Sequence, residues 1–184
     1  VRTLGLASAL AEDGVEVHFL VPRTCIRERS LKLRDQICVH FYSSSRQYFR
    51  NSGLIQVYEN TLNVGLIQEA IKVAKRYGAD VIQSEHLETA LPALTVGRAL
   101  GAPVIYHAHS VRCELASTSR SRLYKAYVRM LEGFVCSKAN GILSVSDRDK
   151  LLLMQTFSVE GNKVEVIPSP FVKGRSPSLE EVEK

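Results

Sequence analysis

The chain has 184 residues, 45% of them apolar and 23% charged, the proportions of one globular domain with a sizeable core. No apolar stretch reaches the roughly 18 residues of a membrane span, and the opening VRTLGLASALAEDGVEV lacks the apolar core and small-residue cleavage site of a signal peptide. The net charge of +5 gathers partly in Arg23, Arg27, Arg29, Lys32 and Arg34 and partly in Arg112, Arg120, Arg122, Lys125 and Arg129, which fits solvated faces or docking of phosphate but not nucleic acid, since aromatics do not interleave with the basic residues.

Residues 1–12 predict a helix, with Val1, Leu4, Ala7 and Leu10 near one face and Gly14 as its stop. VEVHFLV over 15–21 predicts a strand ended by Pro22. Residues 23–35 read as a charged connection, partly helical, and QICVHFY over 36–42 as a second strand. Loop signals follow at 43–45 and 51–53. The pattern then becomes regular. Helices are predicted over 63–77, 88–100, 120–137 and 147–156, and short apolar strands over 80–83, 104–107, 140–145 and 164–167. Gly78 and Gly101 close two of the helices, and Ser146 is placed to cap the last. The polar tail 173–184 (KGRSPSLEEVEK) reads as a linker leaving a domain of residues 1–172.

Cysteines stand at 25, 38, 113 and 136 with no CxxC spacing, so they read as reduced thiols of a cytoplasmic chain. Cys38 and Cys136 lie in apolar segments and are expected in the core, while Cys25 and Cys113 have no base beside them in the sequence to make nucleophiles of them.

Strands alternating with helices of ten or so residues imply βαβ units and a doubly wound, Rossmann-like α/β sheet of parallel strands with helices on both faces. In such sheets ligands bind beyond the carboxyl ends of the strands. Those ends carry Gln83-Ser84-Glu85-His86, His107-Ala108-His109-Ser110 and Ser144-Val145-Ser146, with Pro22-Arg23-Thr24 as a further rim.

The segments ADVIQSEH, LPALTVGRALGAPVIYHAHS and SKANGILSVSDRDKLLLMQTFSVEGNKVEVIPSPF resemble the N-terminal domain of glycosyltransferase family 4, retaining enzymes of the GT-B fold. Gly101-Ala102-Pro103, His109, Ala139-Asn140-Gly141-Ile142, Ser144-Val145-Ser146 and Lys163-Val164-Glu165-Val166-Ile167-Pro168 stand where the family pattern has them. The likeness is good over 79–171 and weak over 1–20. Ser110 replaces the usual Asp after the His, and Ser169-Pro170 replaces the usual Asn-Gly. The resemblance implies the acceptor-side half of a two-domain enzyme. It also implies that the first strand and its Gly-rich loop, and the donor-binding half, lie outside this chain, which leaves the chain inactive alone and its apolar sheet edges exposed.

The resemblance places His109 at the cleft near the transferred sugar, as the catalytic residue. There its ring nitrogens can hydrogen-bond a sugar hydroxyl and steady an oxocarbenium-like transition state. His107 shares its strand face, and Glu85 and His86 line an acceptor pocket or cap the next helix. Ser110, Arg112, Glu114, Ser144 and Ser146 complete the candidate substrate-binding set; Arg112 suits a phosphate or acidic acceptor. His107, His109, Glu85 and His86 could also present metal ligands, but their spacing is not a zinc signature, so neither a metal nor a cofactor is expected. The expected partners are a nucleotide-sugar co-substrate and a carbohydrate or lipid-linked acceptor. The basic stretch at 23–34 adds peripheral contact with an anionic inner membrane face. Two other readings stay open, a binding module without chemistry and a nucleotide-binding Rossmann protein, the latter without a GxGxxG in the chain.

Overall fold

The computed structural model describes residues 2–23, 30–42, 63–116 and 122–168. In chain order the elements are α1 (Arg2–Glu12), β1 (Val17–Pro22), β2 (Ser30–Arg34), β3 (Ile37–Tyr42), α2 (Val64–Tyr77), β4 (Ile82–Ser84), α3 (Leu87–Leu100), β5 (Val104–Ala108), α4 (Arg112–Ala116), α5 (Arg122–Lys138), β6 (Gly141–Ser144), α6 (Asp147–Phe157) and β7 (Val164–Val166), the last preceded by a 3₁₀ turn, Gly161–Lys163. Cys25, Arg27, Arg29, Arg120, the loop signals at 43–45 and 51–53 and the tail at 173–184 lie outside the described residues.

Helix ends follow local chemistry. Asn63 caps α2 by accepting from the Leu66 amide at 3.0 Å, and Ser146 caps α6 by accepting from the Asp149 amide at 3.1 Å, each satisfying an amide that the first turn leaves without a partner. At the other end of α2, Gly78 takes the left-handed conformation with φ 64°, which a residue with a Cβ adopts only at a cost.

The strands form two groups. In one, the order is β1-β3-β2, with β1 and β3 parallel and β2 antiparallel to β3. In the other, the order is β4-β5-β6-β7, all parallel. The architecture is the expected α/β one, parallel strands flanked by helices. Residues 30–34 correct the expectation of partial helix in the charged connection. In SLKLR two leucines alternate with two basic residues, a period of two that suits a strand pairing with β3. Cys38 is half-buried and not a core residue, whereas Cys136 is buried as expected.

The core lies between β5, β6 and β7 and the helices α3, α5 and α6. Tyr106, Ile142, Leu153, Val128, Val135 and Val164 are almost fully buried in it, and each large apolar side chain removed from water contributes about 2 kcal/mol. Asn140 fixes the starts of β5 and β6 together. Its side-chain oxygen accepts from the Val104 amide, and its own amide donates to the Val104 carbonyl, each at 2.8 Å. This clamp, with the parallel register of Ile105 to Gly141 through Ala108 to Ser144, brings the carboxyl ends of β4, β5 and β6 to one edge.

Candidate functional site

Two strand ends carry the site. Glu85 follows β4 and His109 follows β5, with His107 near the end of β5. Glu85 Oε2 accepts from His109 Nε2 at 2.9 Å and from Thr3 Oγ1 of α1 at 3.2 Å. His107 Nδ1 stands 3.5 Å from the same oxygen, too long for a good hydrogen bond, and both of its ring nitrogens are buried with no hydrogen-bond partner among the described residues. The His107 and His109 rings stack with centroids 4.2 Å apart, and the His86 ring tilts against His109 at 4.8 Å. His109 is not sealed in the core. Its side chain keeps 14% of its surface exposed, and that of Glu85 keeps 25%.

The electrostatics of Glu85 are a contest. Burial alone pushes its carboxyl up, but the contacts with His107, His109 and Gln83 outweigh that and hold it down at about 2. An ionised Glu85 can only accept, so the hydrogen between it and His109 sits on Nε2. That fixes the orientation of the imidazole and leaves Nδ1 for another group. The ligand atoms of Glu85, His107 and His109 lie within 4.8 Å of one another, a grouping that could also hold a divalent ion.

The remaining expected residues fall elsewhere. Arg112 donates to Glu88 of α3, so its guanidinium is engaged by a carboxylate that is itself mostly buried. Glu114 pairs with Arg148 at the start of α6 at 2.7 Å, on an exposed surface. Ser144 is fully buried and donates to the Ser146 carbonyl at 2.9 Å, while Ser146 is the cap of α6. Ser84 does the same after β4, donating to the His86 carbonyl at 2.8 Å, so one serine device turns the chain from strand into helix twice. Ser110 is half-buried beside His109.

Two carboxylates were not singled out from the sequence. Glu88 is described above. Glu132 is fully buried on α5, where its two oxygens accept from the Arg112 and Cys113 amides at 2.8 and 2.7 Å. It thereby caps the start of α4 and anchors the loop that presents His109. Burial pushes its carboxyl up against these hydrogen bonds. A signal existed, because Glu132 interrupts the apolar face made by Val128, Leu131 and Val135. Cys113, beside it, is pushed up to about 11 by burial and by Glu132, which keeps the thiol protonated near neutral pH.

A sequence profile described as Glycosyltransferase Family 4 matches residues 1–171. No curated protein sequence matches the chain. Among solved structures, a fragment of sucrose-phosphate synthase from Thermosynechococcus elongatus aligns with TM-score 0.67 and 12% identity, covering 91% of this chain and 83% of that one. The longer chain of the same synthase gives TM-score 0.71 and 11% identity over 89% of this chain and 40% of that one. HepE from Anabaena, in complex with UDP and glucose, gives TM-score 0.51 and 13% identity over 72% and 31%. These likenesses show the fold, that of GT-B glycosyltransferases. The chain spans less than half the length of the latter two.

Proposed function

The chain belongs to glycosyltransferase family 4, and on that premise we propose that it forms the acceptor-side half of an enzyme that moves a sugar from a nucleotide-sugar donor to a carbohydrate or lipid-linked acceptor with retained configuration. The observation that carries this reading is the hydrogen bond from His109 Nε2 to Glu85 Oε2 at the carboxyl edge of the parallel strands. With Nε2–H so held, Nδ1 of the neutral ring accepts a hydrogen bond from a sugar hydroxyl. This keeps electron density on that oxygen while positive charge grows at the anomeric carbon, and the Glu85 charge beside it adds to the same effect. The groups are fixed before the substrate arrives, so little reorganisation is needed at the moment of transfer. The UDP bound by HepE is the precedent for the nucleotide part of the donor.

On this reading no metal enters the chemistry, and Glu85 works as a hydrogen-bond acceptor, not as a ligand. The test is transfer of radiolabelled sugar by the two-domain protein from a panel of nucleotide sugars, with and without EDTA. We expect turnover with at least one donor, unchanged by EDTA, and none by residues 1–184 alone. Turnover by the short chain, or loss of transfer on chelation, would overturn the reading.

A further inference from the structure

A second cluster of polar side chains lies at the amino end of β1, apart from the site above. Glu16 and His18 stand two residues apart where β1 begins, and Cys38 and His40 stand two apart on β3, so each pair shares a face of its strand. The parallel register sets His18 beside Cys38. One ligating atom from each of Glu16, His18 and Cys38 lies within 4.8 Å of the other two. The helix α1, whose Thr3 touches Glu85, runs its 11 residues before the chain turns into β1, which puts about 16 Å between the two clusters.

The His18 ring is held on two sides. Its Nδ1 shares a hydrogen bond of 2.9 Å with His40 Nε2, and the Tyr77 ring at the end of α2 stacks on it with centroids 4.1 Å apart. Its other nitrogen is left over. Nε2 is buried and makes no hydrogen bond among the described residues. The Glu16 Oε1 atom stands 3.0 Å from it but out of line for an N–H donor. A buried ring nitrogen costs free energy until something answers it. A proton joins two atoms at most, whereas three different ligating atoms converge here, and that convergence suits a cation. The donor set selects which one. Magnesium and calcium take oxygen ligands, while one sulfur, one imidazole nitrogen and one carboxylate oxygen suit zinc, with bonds of about 2.0–2.3 Å. In a tetrahedral shell such atoms stand about 3.5 Å apart, so the side chains need only draw in slightly.

We propose that Glu16, His18 and Cys38 bind one zinc ion through a carboxylate oxygen, Nε2 and Sγ. His40 accepts from His18 Nδ1 and so holds the tautomer that frees Nε2, the supporting contact that a metal-bound histidine needs. The Glu16 side chain is 56% exposed, so water reaches the fourth position. The Cys38 thiol gives up its proton as the sulfur–zinc bond forms, and one proton leaves for each ion bound. The ion ties β1 to β3 and takes no part in sugar transfer, so this site stands or falls independently of the role of His109.

The test titrates cobalt(II) into the reduced chain after chelation and reads the thiolate-to-cobalt charge-transfer band in the near ultraviolet, then adds zinc(II) to displace it. We expect the band to saturate at one ion per chain, with affinity rising about tenfold for each pH unit gained below the titration of the thiol. Cys38→Ser should remove the band. His18→Gln and Glu16→Gln should each weaken binding at least about tenfold, and His109→Ala, at the other group of candidate ligands, should leave it unchanged. Far-ultraviolet circular dichroism checks the fold of each variant, and Glu16→Gln, on an exposed side chain, carries the comparison if His18→Gln misfolds. Binding that does not saturate at one ion per chain, a band that survives Cys38→Ser, one that disappears with His109→Ala, or an affinity indifferent to pH would overturn the proposal.

Discussion

Replacing Glu85 by Gln removes the charge on which the Thr3, Gln83, His107 and His109 side chains converge while keeping the volume and one acceptor oxygen. A carboxyl held at about 2 against an ordinary 4.5 is worth about 3 kcal/mol of folding stability when ionised. That figure is a ceiling, because a quarter of the Glu85 side chain is exposed and water screens part of it. The sign follows from the depressed value. The contribution is complete above pH 4.5 and drains away as pH falls through the window down to about 2. Urea denaturation of the native and Glu85→Gln chains at pH 7, 4 and 3 reads it directly. At pH 7 the variant should lose as much as about 3 kcal/mol, and the gap should narrow steadily as acid is added. Curves that keep the same separation at every pH would refute the idea that an ionised Glu85 holds the histidines.

Glu132→Ala leaves two amides and a cavity inside the core, and should cost about 3 kcal/mol in urea denaturation; a loss below about 1 kcal/mol would mean that water replaces the carboxylate there. Gly97→Ala puts a methyl group onto Val104 Cγ2 and 2.9 Å from the Ala102 carbonyl oxygen, and should lower stability by about 1–3 kcal/mol. Trimming the valine with Val104→Ala should recover only part of that loss, since the carbonyl clash stays.

Much of this was legible from residue order. The repeated sequence of short apolar strand, polar strand end and amphipathic helix from 63 onward predicts each later strand, and each later helix but α4, to within a few residues, because the helices bury one face and the strands two. The rule for parallel sheets then places Glu85, His107 and His109 at one edge, where the structure brings them together. Other features were hidden for physical reasons. The charges of Lys32 and Arg34 masked a two-residue period that only pairing with β3 reveals. The short α4 has too few residues to show a period, and it exists because Glu132, some twenty residues later, caps it. The roles of Ser144, Glu114 and Arg112 depend on partners that no spacing in the sequence discloses, whereas Ser146 caps α6 as its place before Asp147 predicts. Thr3 reaches Glu85 across 82 positions, a contact that follows from the winding of the fold alone.

The central claim is that His109, held by Glu85, acts on the sugar during transfer. It is tested most directly by kcat of the two-domain protein carrying His109→Ala, measured beside His86→Ala at the exposed neighbouring ring. The account predicts a fall of about 10²–10³-fold for His109→Ala with little change in KM for the donor, and less than about tenfold for His86→Ala. A kcat for His109→Ala within a few-fold of the native enzyme would contradict it.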